Sequence, residues 1–133
     1  EQTENNSHFD KVYRVAKWGF GDPRTFISTY SEIQQNLIPD SDAKYPKDKI
    51  GTYSTSVYTS KSPCNKFIAF LKKRLKKFYP NPVILIGKTS DGLVQRTIER
   101  DSNHPEANHV DWWIYDGKED YVTINFSLAE EEE

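Results

Sequence analysis

The chain has 133 residues, which fits one domain with one core and is short for two. Its net charge of −2 gives no global basic field to gather nucleic acid. A single cysteine excludes an intrachain disulfide and the multi-cysteine zinc sites. No apolar run reaches membrane-spanning length, so no membrane partner is expected, and no metal is expected either.

Residues 8–16 read as a first strand, because β-branched and aromatic residues dominate Lys11-Val12-Tyr13-Arg14-Val15. Trp18 to Pro23 reads as a turn on its two glycines and the Asp-Pro step. Asp22 or Thr25 is suited to cap a helix over about 24–35, whose apolar residues Phe26, Ile27, Tyr30 and Ile33 share a face. Residues 39–48 have loop composition, and a second strand is expected over about 50–58. Ser62-Pro63 opens the clearest helix, with Phe67, Ile68, Leu71, Leu75 and Phe78 at helical spacing and lysines on the remaining face. Tyr79-Pro80-Asn81-Pro82 ends it, and Val83-Ile84-Leu85-Ile86-Gly87 is apolar enough for a strand buried on both faces. Strands are further expected over Leu93–Glu99, Val110–Tyr115 and Tyr121–Phe126. These elements imply an α+β fold in a small single domain over 1–133. The β core is expected to be mostly antiparallel, split or in two sheets, with two helices in the N-terminal half. Residues 1–7 and 128–133 are expected to be flexible ends.

Two strands each carry a polar group that strand propensity does not require. Arg14 lies between Tyr13 and Val15 and so points to the opposite face from both. Its planar fork suits a phosphate or carboxylate, although a surface arginine on a half-buried strand would look the same. Gly51-Thr52-Tyr53-Ser54-Thr55-Ser56 carries a hydroxyl triplet ahead of a helix, which would also suit a solvated edge strand.

The order of these two segments resembles the arginine/STS/glutamate class of mono-ADP-ribosyltransferase toxins, the pertussis-like and cholera-like group. The resemblance implies NAD as substrate and a target protein as ADP-ribose acceptor. It implies a toxin or effector that is secreted or delivered into a cell and acts in that cell's cytoplasm. It implies that Arg14 and Ser54 hold NAD, with Thr55 and Ser56 beside them, and that an aromatic such as Phe26 stacks on nicotinamide. It places the essential carboxylate at the start of a late strand, where Glu119 stands, with Asp120, Glu99 and Glu106 as alternatives. Gly117 stands where that class has Glu or Gln two residues earlier, which counts against arginine as the acceptor.

Other chemistries stay open at this level. His104, His109 and Asp111 would suit a metal site or a histidine base, and a nuclease-type toxin would pair such a base with the Lys72–Lys77 helix face. Cys64, in the first turn of a helix, would suit a nucleophile paired with His104 or His109. A non-catalytic binding or immunity module would use Trp112-Trp113-Ile114-Tyr115 as its partner surface.

Overall fold

The computed structural model describes residues 8–38, 40–41, 44–46 and 48–129. Of the expected flexible ends, 1–7 and 130–133 lie outside the described residues. Leu128 closes a strand, and the Ala129 N–H donates to Ile84 O at 2.9 Å.

The elements in chain order are β1 (Val12–Ala16), α1 (Thr29–Gln34), β2 (Thr55–Tyr58), α2 (Ser62–Arg74), β3 (Val83–Gly87), β4 (Gly92–Arg96), α3 (Thr97–Arg100), β5 (His109–Ile114), α4 (Glu119–Val122) and β6 (Phe126–Leu128). All six strands form one antiparallel sheet in the order β4-β5-β2-β1-β3-β6. The α+β single-domain architecture therefore holds. The sheet is continuous in order but weakly joined at its centre. β1 and β3 share five register pairs, from Val12↔Gly87 to Ala16↔Val83, whereas β1 and β2 share only Tyr13↔Tyr58.

Both faces of the sheet are covered. Val12, Ala16, Val57, Leu85, Val94, Val110, Trp112 and, from β6, Phe126 pack on one face with Phe26 and Val122 from the covering segments. Tyr13 and Val15 face the other side, where Cys64 and Leu71 of α2 and Tyr79 close a second cluster. Burying a side chain such as Phe26 or Leu71 contributes about 2–3 kcal/mol. Arg14 alternates with Tyr13 and Val15 and so falls on the Val12 face, beneath the covering 3-10 turn Pro23–Phe26.

Four local expectations are corrected. The strand over Leu93–Glu99 ends at Arg96, where the chain turns into α3. The single helix over 24–35 is two pieces. Asp22 caps the 3-10 turn through the Arg24 N–H, Ile27 is extended, and Ser28 recaps α1 through the Ser31 N–H. The strand over 50–58 begins as the 3-10 turn Ile50–Tyr53, so Ser54 sits at a junction and β2 starts at Thr55. The alternating run Tyr121–Phe126 is helical: Tyr121 and Val122 N–H donate back to Lys118 O at 3.0 and 3.1 Å, and a 3-10 turn Thr123–Asn125 follows. Its buried residues are Val122 and Phe126, four apart, while Tyr121 is 60% and Ile124 81% exposed. The burial period there is that of a helix, not of a strand.

Candidate functional site

Arg14 fills the opening between β1 and β2. In an antiparallel ladder Arg14↔Val57 and then Val15↔Ser56 would follow Tyr13↔Tyr58. Instead the Ser56 carbonyl accepts Arg14 Nη1 at 2.8 Å. Arg14 Nε and Nη2 donate to Thr25 O at 3.0 and 2.8 Å. Burial pulls the guanidinium pKa down and Glu32, with Oε2 4.0 Å from Nη2, opposes that pull; arginine stays charged at neutral pH. Thr55 Oγ1 donates to Phe26 O at 3.2 Å, so the covering turn is tied to β1 by Arg14 and to β2 by Thr55. Arg14, Glu32, Tyr45, Ser56 and Tyr58 line a narrow cleft of about 180 Å³ at the opening.

A larger cleft of about 730 Å³ lies beside it and shares Thr29, Tyr45 and Ser56 with it. Its floor is the β2–β5 ladder, where Ser56 faces Asp111 in register. Asp111 is buried and accepts three donors: Ser54 Oγ on Oδ1 at 2.8 Å, and Thr97 Oγ1 and Arg100 Nη2 on Oδ2 at 2.9 and 2.7 Å. His109, two residues earlier on β5, contacts Thr97 Oγ1 through Nδ1 at 2.5 Å and Ser56 Oγ through Nε2 at 2.8 Å. Burial drives the His109 pKa down to about 4, against the pull of Asp111, so the ring is neutral at pH 7. The 4.0 Å approach of Nδ1 to Asp111 Oδ1 is therefore not an ion pair. The His104 ring stands 4.9 Å from the His109 ring.

Several expected site residues lie apart from these clefts. Ser54 is fully buried. Its hydroxyl proton is shared between Asp111 Oδ1 and Gly51 O, each at 2.8 Å, and it lines neither cleft. Ser54 thus meets the site through Asp111, and the STS serine that meets the Arg14 opening is Ser56. Phe26 is a core residue, 4.8 Å from the Phe126 ring and 6.0 Å from the Trp112 ring, and it lines neither cleft. Glu119 begins α4 instead of a strand and lines neither cleft. Asp120 lines a separate cleft with Phe20, Asp22 and Thr25, Glu99 is exposed, and Glu106 caps its own loop through Asn108. The carboxylate gathered with the STS strand is Asp111. Its trace in the sequence is one acid inside the apolar run Val110–Ile114; Thr97 and Arg100 leave no such trace.

The remaining candidates resolve by burial. Cys64 is fully buried and its thiol is pushed up to about 12 by burial, which leaves it an inert packing group. Trp112 is fully buried and Trp113 donates Nε1–H to Ile50 O at 2.9 Å, while Tyr115 at the end of the run is exposed. Of the α2 lysines, Lys72 lines a different groove, together with Lys11 and Lys61, which neither His104 nor His109 lines. Among the described residues, no three His, Cys, Asp or Glu side chains form a metal site, and no helix is long and apolar enough to cross a membrane. Comparison with protein-family models, curated proteins and solved structures finds no match to the chain.

Proposed function

We propose that the chain is an NAD-dependent mono-ADP-ribosyltransferase, a toxin or effector domain secreted or delivered into a target cell, where it modifies a cytoplasmic protein. The observation that carries this reading is the neighbouring order β1-β2-β5. It sets Arg14, Ser56 and the buried Asp111 around two joined clefts, with Ser54 behind Asp111. In this reading Arg14 holds the opening and lends its charge to the pyrophosphate of NAD. Ser54 and Arg100 orient Asp111 by donating to its two carboxylate oxygens. Asp111, in place of Glu119, supplies the negative charge that faces the ribose as nicotinamide leaves. The carbon–nitrogen bond to nicotinamide breaks, and an acceptor side chain of the target protein bonds to the same carbon and loses its proton. The test is a calorimetric titration with NAD. Saturable one-site binding that Arg14→Lys weakens at least tenfold supports the reading; no heat from the wild-type protein removes it.

A second reading rests on the paired imidazoles. His104 and His109 share the larger cleft with Lys44, Lys49 and Arg100, a composition suited to metal-free acid–base cleavage of RNA. Cleavage of RNA in chelator-treated buffer, abolished by His109→Ala, would favour it over the transferase.

A further inference from the structure

We propose that Ser56 is an activated nucleophile toward small carboxylic esters, with His109 as its general base and Thr97 and Asp111 as positioning residues. The proposal does not rest on the transferase reading, because no part of NAD enters it. Its basis is that every hydrogen in a four-residue chain has only one consistent direction. Ionised Asp111 can only accept. Thr97 has a single hydroxyl proton, and it points to Asp111 Oδ2 at 2.9 Å. Toward His109, Thr97 can then only accept, so Nδ1 carries the ring proton. A neutral imidazole has one such proton, which leaves Nε2 bare. The Ser56 hydroxyl, 2.8 Å away, is therefore the donor to Nε2. A hydroxyl donating to a bare imidazole nitrogen, with the far nitrogen fixed by a hydroxyl–carboxylate pair, has the connectivity that nucleophilic catalysis requires.

The surroundings fit that role. Thr97 and Asp111 are buried, which keeps the far end of the chain rigid and out of water. Ser56 is half-buried and lines both clefts. A cleft of about 730 Å³ accommodates a small ester. Arg100, Lys44 and Lys49 line it and favour the negative oxygen that forms on attack. In the first step Ser56 Oγ bonds to the ester carbonyl carbon and its proton passes to His109 Nε2. The carbon–oxygen bond to the alcohol breaks, and the alcohol leaves with that proton. In the second step water attacks the acyl-serine, gives a proton to His109, and releases the acid as Ser56 regains its hydrogen.

Groups facing the His109 ring from each element are Asp111 on β5, His104 in the preceding loop, Arg100 and Thr97 on α3, Arg14 on β1, and Tyr58 and Ser56 on β2. Burial first, with Arg100 and Arg14 and against the pull of Asp111, holds the ring neutral, so the base form persists across the neutral range.

The test uses the full chain and a fluorophosphonate probe, with the modified residue mapped by mass spectrometry. One phosphonyl group on Ser56 is expected. His109→Gln is expected to slow labelling by about 10²-fold. Thr97→Val is expected to slow it by about tenfold, with a changed pH profile, because the ring loses its fixed tautomer. Absence of label on wild-type Ser56, or label on another residue alone, overturns the proposal. Equal labelling rates in wild type and His109→Gln overturn it too. If His109→Gln does not fold, wild-type mapping and the Thr97→Val profile decide the matter: an unchanged rate and profile in Thr97→Val count as a refutation.

Discussion

Replacing Asp111 with asparagine keeps the shape of the side chain and removes its charge, which isolates the network at the base of the larger cleft. Asp111 is 3% and Arg100 17% exposed at the side chain, and their atoms meet at 2.7 Å. Removing one partner of a buried ion pair costs about 3–5 kcal/mol, because the other charge stays desolvated. Arg100 is slightly exposed and keeps its bond to Gln95 Oε1 at 2.8 Å, which favours the lower end. The asparagine also brings an N–H₂ group against either the Ser54 hydroxyl or the Arg100 guanidinium, where the native group only accepts. A loss of about 3 kcal/mol is expected. At about 4 °C per kcal/mol for a chain of this length, the melting temperature falls by about 12 °C. Urea unfolding of Asp111→Asn, Arg100→Met and the double variant forms a cycle. The double variant should cost at least 1 kcal/mol less than the sum of the singles, since each removes the same contact. A loss below about 0.5 kcal/mol for Asp111→Asn, or additivity in the cycle, would refute the reasoning.

The remaining predictions follow from single contacts. His109 ordinarily titrates near 6.5 and is held near 4 in the folded chain, so between those values the unfolded chain binds more protons and stability falls as the pH drops. The loss approaches about 3 kcal/mol by pH 4; urea midpoints at pH 7 and 4.5 should differ more for wild type than for His109→Gln. Arg14→Lys cannot serve both Thr25 O and Ser56 O, and should cost about 2–3 kcal/mol in the same urea assay. Phe26→Ala should cost about 4 kcal/mol by emptying the space between Trp112 and Phe126, whereas Glu119→Ala should stay within about 0.5 kcal/mol. A destabilised Glu119→Ala protein would show that α4 is held by more than Val122.

Local pattern carries much of the architecture. Ser62-Pro63 and the spacing of Ile68, Leu71 and Leu75 mark α2, and β1, β3 and β5 fall within a few residues of their expected places. The misreading of 121–126 has a local cause too: Ile124 is apolar but exposed, so with Val122 and Phe126 it completes an alternation that burial does not follow. Arg14 is legible because it is a lone cation between β-branched and aromatic neighbours. Asp111 is not legible as the acid of the site, because its meaning depends on pairing with a strand more than fifty residues earlier. Thr97 and Arg100 depend on that pairing twice over. They reach Asp111 because β4 lies beside β5 and the chain turns into α3 directly above it. Ser56 lies where Ser54 is expected because a 3-10 turn ends at Tyr53 and buries the first serine.

The most direct measurement is nicotinamide release from NAD, with cell lysate supplied as acceptor, for wild type, Asp111→Asn and Glu119→Ala side by side. Release by wild type and by Glu119→Ala, with at least a hundredfold loss in folded Asp111→Asn, is the predicted result. No release by wild type, or release that depends on Glu119 and not on Asp111, would contradict the account.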